Sequence, residues 1–212
     1  MKLLCYGDSN TYGYDPRGPI PGRYDADDRW CDLLAKHTNW TVINGGENGR
    51  IVPEPYWNYT DLKRMMREDG PFDAVCIMLG TNDILISSRM DISPIVKRME
   101  ALLNYLETNR PNTKLVLVTP PPFDIPEFPE AVLKLEKLIE AYDKLADQHG
   151  IGFINNHSWD ISLSYDGAHF SQEGHHIFGK HIVEALKELL LRLQKGDRNY
   201  LQSPSSYLYY RL

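Results

Sequence analysis

Apolar runs of strand length recur along the chain at residues 3–6, 41–44, 73–79, 114–119 and 150–155. Their centres are continuous, as in Val75-Cys76-Ile77-Met78-Leu79 and Leu115-Val116-Leu117-Val118, rather than alternating with polar residues. A strand with one wet face alternates; one covered by helices on both faces does not, so the pattern predicts a parallel sheet. Between these runs the spacing turns helical. Trp30, Leu33, Leu34 and His37 follow a cap expected at Asp27 or Asp28, and Ser93-Pro94 opens a helix whose face carries Ile95, Met99, Leu102, Leu103 and Leu106. Residues 131–149 repeat the pattern through Leu135, Leu138, Ile139, Tyr142 and Leu145, ending at Gly150. A last helix over 171–195 carries Phe178, Ile182, Leu186, Leu189, Leu190 and Leu193.

Strand and helix thus alternate five times, which predicts one α/β domain over residues 1–195: a three-layer α/β/α sandwich around a five-stranded parallel sheet. Right-handed crossovers restrict the topology, and the flavodoxin-like order 2-1-3-4-5 is the expected one. Three connections exceed what the scaffold needs: 13–27, 45–60, and the proline-rich stretch that begins Pro120-Pro121-Pro122-Phe123. Loops beyond the carboxyl ends of strands are where such folds bind ligands. After Gly196 the composition shifts to a Tyr-rich tail, 196–212, for which packing on the domain and joining a homo-oligomer interface both stay open.

Composition changes the picture mainly by exclusion. The formal charge of −6 comes from interspersed acidic and basic residues, which gives no footprint for nucleic acid or an anionic membrane surface. No apolar segment approaches membrane-spanning length and the run after Lys2 is too short for a signal peptide, so a cytoplasmic protein without membrane insertion is expected. Cys5, Cys31 and Cys76 have no metal-ligand spacing, and their odd number argues against a disulfide framework. They read as buried thiols in a reducing compartment.

Four short stretches carry chemistry. In Gly7-Asp8-Ser9-Asn10 a hydroxyl follows the first strand on a glycine turn, a position suited to a nucleophile, or to simple helix capping. In Asn48-Gly49-Arg50 a glycine lets backbone approach a ligand closely and offers an N–H, or makes a plain turn. Gly80-Thr81-Asn82-Asp83 places an amide donor after the most apolar strand, where it can meet a developing oxyanion or cap a turn. In Asp166-Gly167-Ala168-His169 a carboxylate can accept from one ring nitrogen and leave the other to take a proton. His175, His176 and His181 read as surface or packing residues, and no set of side chains has convincing metal-ligand spacing.

Occurring together and in this order, these blocks resemble the SGNH/GDSL hydrolase superfamily. The stretches Cys5-Tyr6-Gly7-Asp8-Ser9-Asn10-Thr11-Tyr12-Gly13, Arg29-Trp30, Asn48-Gly49-Arg50 and Ile77-Met78-Leu79-Gly80-Thr81-Asn82-Asp83 are similar to its arylesterase/acyltransferase branch. The resemblance implies Ser9 as nucleophile, His169 as base and Asp166 as its partner, with an oxyanion hole from the Ser9 and Gly49 N–H groups and the Asn82 amide. It implies a small-molecule ester substrate and no cofactor. Ile51 stands where that branch usually has threonine, and the tail has no counterpart in it. Tyr12, Tyr14, Trp57, Phe123 and Phe170 are candidate pocket walls or ordinary core. The expected activity is hydrolysis of short acyl or aryl esters through an acyl-enzyme, with acyl transfer, carbohydrate O-deacetylation, thioester or lysophospholipid cleavage as variants. Two other classes compete: metal-dependent phosphoester hydrolysis through Asp8, Asn82, Asp83, Asp166 and His169, and a binding module without turnover.

Overall fold

The computed structural model describes residues 1–18, 20, 22–55 and 59–194. The chain runs β1 (Lys2–Gly7), α1 (Ser9–Tyr12), a small hairpin of β2 (Tyr14–Asp15) and β3 (Gly22–Arg23), α2 (Trp30–Lys36), β4 (Thr41–Gly46) and α3 (Thr60–Glu68). It continues through β5 (Ala74–Met78), α4 (Thr81–Ile86), α5 (Ser93–Asn109), β6 (Lys114–Val118), α6 (Pro129–His149), β7 (Gly152–Ile154) and α7 (Gln172–Gln194). The main sheet is parallel, in the order β4-β1-β5-β6-β7. Counted among sheet strands alone this is 2-1-3-4-5, the expected flavodoxin-like order.

Successive side chains of a strand point to opposite faces, and here both faces are covered. Leu4, Tyr6, Val75, Ile77, Leu115 and Leu117 join α3, α5 and α6 in one core. Leu3, Cys5, Ala74, Cys76, Val116 and Val118 join α2 and α7 in the other. This is why the strands read as unbroken apolar runs: each position buries a side chain, at roughly 1.5–3 kcal/mol for the larger ones. The three thiols are free and buried, with Cys5 beside Cys76 in the register. No helix of the described residues is long and apolar enough to cross a membrane.

The stripes predicted for α5 and α7 are the buried ones, Leu193 of α7 being only partly covered. The cap of α2 is Arg29, with no side-chain bond, rather than Asp27 or Asp28. Asp28 is engaged elsewhere, accepting from Gln172 and pairing with His176 on α7. Helix α1 is the one that the capping reading of Asp8-Ser9-Asn10 allowed, whereas α3, α4 and the hairpin were not expected.

The Tyr-rich tail lies outside the described residues. His175, in the first turns of α7, is fully buried between Tyr24 and Phe170, and neither ring nitrogen has a hydrogen-bond partner. Burial pushes its pKa down from 6.5 to about 3. Its neutral form therefore supports the fold fully above pH 6.5, and that support is lost as pH falls toward 3. Buried Asp8 runs the other way: burial lifts it from 3.8 to about 7, so its contribution is lost as pH rises across that interval. The two are separated by comparing wild type with His175→Leu. Between pH 6.5 and 4 the wild type is expected to lose stability relative to the variant by up to about 1.4 kcal/mol per pH unit in urea titrations. A constant difference across that range would contradict the assignment.

Candidate active site

The turn after β1 is tight because of Gly7. A Cβ there would lie 2.0 Å from Thr11 Oγ1 and 2.9 Å from the Met78 carbonyl, so a larger residue would force α1 away from the sheet. Asp8 caps α1, its Oδ1 accepting from the Asn10 N–H at 3.0 Å. Ser9 is the first residue of that helix, 7% exposed. Its N–H is among those that a helix leaves without an internal partner, at the end whose dipole favours negative charge.

The second segment precedes α7. Gly167 adopts φ +66°, and a Cβ on it would overlap the Asp124 carbonyl at 1.8 Å. The Asp124 N–H in turn donates to the Gly167 carbonyl at 2.8 Å, which ties the turn to the loop after β6. Asp166 Oδ1 accepts from the N–H groups of Ala168 (3.1 Å) and His169 (3.0 Å), and Oδ2 meets His169 Nδ1 at 2.7 Å. Partial burial alone would raise the Asp166 carboxyl; these three bonds outweigh it and hold the group below its ordinary value. An ionised carboxylate only accepts, so Nδ1 carries the proton and Nε2 is left as an acceptor. Nε2 stands 3.0 Å from Ser9 Oγ. Two segments 160 residues apart thus meet in a chain from hydroxyl to imidazole to carboxylate.

The third and fourth segments meet through their own bonds. Asn82, on α4, donates from Nδ2 to the Arg50 carbonyl at 2.9 Å, which leaves its second amide hydrogen for another acceptor. Gly49 lies in the left-handed region at φ +75°, with open space where a Cβ would be, and no hydrogen bond among the described residues takes up its N–H. Arg50 holds this loop to the sheet. Its guanidinium donates to the carbonyls of Gly7 (2.7 Å) and Gly45 and pairs with Glu47 (2.7 Å) and Asp61 (2.6 Å), while stacking on the Tyr6 ring. Asp83 works from the far side: it accepts from the Val52 N–H at 3.0 Å and from Arg98. Burial raises its carboxyl against the pull of both donors.

The aromatic candidates separate. Tyr14 packs on the His169 ring, centroids 4.6 Å apart, and Tyr12 lies under the Arg23 guanidinium. Phe170 is not a wall: it is completely buried and packs on Phe178 and His175. Phe123 likewise belongs mainly to the core over α5 and α6. Trp57 lies outside the described residues. The carboxylates of the metal reading are dispersed, Asp83 on Arg98 and Asp166 on His169. Among the described residues no three histidine, cysteine, aspartate or glutamate side chains stand together as ligands for a metal ion.

Three residues that hold this arrangement were given no role by the sequence: Asn10, Arg50 and Arg98. Asn10 and Arg50 sit inside recognised blocks, so adjacency pointed to them. Arg98 had no signal, because an arginine on a helix ordinarily faces water.

Residues 5–177 match the model of the GDSL-like lipase/acylhydrolase family. The chain belongs to this family. Among solved structures, the native aryl esterase of M. smegmatis is 27% identical, covering 89% of this chain and 99% of its own, with a TM-score of 0.77. Est24, a carbohydrate acetylesterase from Sinorhizobium meliloti, is 25% identical with the same coverage and a TM-score of 0.76. A putative arylesterase from Agrobacterium tumefaciens is also 25% identical, with a TM-score of 0.74. The comparison with curated proteins gave no match. In a lipase/acylhydrolase-family chain the four blocks fall on one end of the sheet because each follows a parallel strand or, for the last, precedes the closing helix.

Proposed function

We propose that the chain is a serine esterase that cleaves short-chain acyl and aryl esters through an acyl-enzyme, and passes the acyl group to an alcohol where one replaces water. The observation that carries this reading is the Ser9–His169–Asp166 hydrogen-bond chain. Neutral His169 takes the Ser9 proton on Nε2 as Oγ bonds to the ester carbonyl carbon, and the carbonyl pair moves onto oxygen. Asp166 stabilises the imidazolium through Nδ1–H. The N–H groups of Ser9 and Gly49 and the free amide hydrogen of Asn82 receive the oxyanion, each worth roughly 3 kcal/mol of barrier. On collapse the imidazolium returns its proton to the departing alkoxide. Water, deprotonated by the same ring, then releases the acid and restores Ser9.

An aryl acetate and a fluorophosphonate test this directly. Hydrolysis of p-nitrophenyl acetate is expected, with one phosphonyl group per chain on the peptide that contains Ser9 and loss of activity in step with labelling. Labelling elsewhere, or full activity after Ser9 is phosphonylated, would overturn the reading. An acyl-chain series is expected to favour acetyl.

A second reading concerns the alcohol half of the ester. A groove of about 610 Å³ beside Gly49 is lined by Tyr6, Ile51, Pro53 and Tyr59 as well as by Asn48, Thr60 and Arg64, a mixed apolar and polar wall. Together with the likeness to Est24, this favours acetylated carbohydrates as substrates alongside aryl esters. Acetate release from a panel of acetylated sugars at kcat/KM above that for phenyl acetate is the outcome that supports it.

A further inference from the structure

Asn10 is 2% exposed, and its polar atoms are bonded within its own turn and to two other segments, the start of α2 and the stretch before α7. Its N–H is held by Asp8 Oδ1, and its carbonyl accepts from Trp30 Nε1 at 2.9 Å. The side chain then crosses to the histidine segment: Nδ2 donates to the Ala168 carbonyl at 3.1 Å and Oδ1 accepts from the Phe170 N–H at 2.8 Å. These are the two peptide groups that flank residue 169. One planar amide grips the backbone on both sides of the histidine, as a neighbouring strand would, and does so from the residue next to Ser9.

The other bonds of that segment tie it to different places. The His169 carbonyl accepts from the Ser164 N–H, the Gly167 carbonyl from Asp124, and the Phe170 carbonyl from the Tyr24 hydroxyl. They fix the shape of the loop. Asn10 fixes its register against the turn that bears Ser9. Helix capping alone would need neither side-chain contact, because the cap is Asp8.

We propose that Asn10 is the positioning residue that sets His169 Nε2 on Ser9 Oγ, an inference that rests on the esterase reading above. A displacement of about 1 Å between reacting groups costs on the order of 10²-fold in rate. Asn10→Leu, which loses both side-chain bonds, is expected to lower kcat for p-nitrophenyl acetate about 10²-fold with KM within about two-fold. Asn10→Asp keeps the acceptor for Phe170 N–H but sets a carboxylate oxygen against the Ala168 carbonyl. It is expected to fall between Asn10→Leu and wild type, and it decides the matter if Asn10→Leu does not fold.

A proton spectrum supplies the readout that a merely structural role would not move. Wild type is expected to show a low-field Nδ1–H resonance from His169, absent in His169→Gln, and Asn10 variants of native far-UV dichroism are expected to lose or shift it. Folded Asn10 variants with wild-type kcat and an unchanged resonance would overturn the proposal. Should wild type prove inactive and unlabelled by fluorophosphonate, the esterase reading fails by itself. The resonance in the Asn10 variants then still decides whether Asn10 positions the ring.

Discussion

Ser9→Ala is expected to lower kcat for aryl acetate hydrolysis by between about 10⁴- and 10⁶-fold, and His169→Ala introduced on top of it to cost almost nothing further. The expectation follows from the way the two side chains act. In the proposed mechanism the ring first removes the Ser9 proton across the 3.0 Å contact between Nε2 and Oγ and then gives that proton to the leaving group, so both steps begin with the hydroxyl. Without the hydroxyl the base has no proton to take; without the base the hydroxyl is a poor nucleophile. Losses of groups that work as one unit do not add. What remains in either variant comes from the oxyanion donors and substrate binding, which is why the floor lies above the rate in water. Asp166→Asn is expected to cost about 10⁴-fold, because an amide facing Nδ1 admits the tautomer with its proton on Nε2. Steady-state and single-turnover rates on the single, double and triple variants check this. Multiplying losses would mean that Ser9 and His169 belong to separate processes.

Much of this arrangement is legible in the amino-acid sequence. Runs such as Val75 to Leu79 had no polar position to spare, and only a sheet buried on both faces accounts for that. The motifs at Ser9 and Asn82 could be placed at strand ends because a glycine closes each apolar run, and Asp166-x-x-His169 could be placed just before the last helix. The failures have a common physical origin. Helix α3 is strongly amphipathic, yet only Leu62 and Met66 are buried in it, too few apolar positions to announce a period. For Phe170 the sequence left pocket wall and ordinary core both open; successive residues of an extended segment point opposite ways, so its ring enters the core while His169 faces Ser9. Arg98, Asp83 and Lys134 are polar residues whose burial depends on partners far away in the chain. Lys134, buried on α6, donates to the Ser87 carbonyl just past α4 at 2.6 Å, a role that helical spacing alone would assign to water.

Arg50→Met is expected to destabilise the fold by about 1–3 kcal/mol and to lower kcat in the protein that remains folded. The guanidinium side chain is 6% exposed and answers four acceptors at once. Two of these are backbone carbonyls at the ends of β1 and β4, and two are the carboxylates of Glu47 and Asp61. Methionine fills similar volume over the Tyr6 ring but leaves both carbonyls and the partly buried Asp61 without their cation. A buried acceptor left without its donor costs its desolvation in full, whereas Glu47 and Asp61, 64% and 34% exposed, are partly recompensed by water. Buried Asp8 would suffer as well, since Arg50 is among the groups that hold its carboxyl down against burial. The kinetic consequence comes through the backbone. The Arg50 carbonyl receives the Asn82 amide, and Gly49 is its neighbour, so loosening this residue slackens two of the three proposed oxyanion donors together. Urea midpoints measure the first effect, and kcat at a denaturant-free temperature well below melting measures the second. Arg50→Lys separates charge from shape: an ammonium retains the ion pairing but cannot span all four acceptors, so it is expected to restore part of the stability and little of kcat. If Arg50→Met unfolded at the wild-type midpoint, the guanidinium would not be what holds this loop to the sheet.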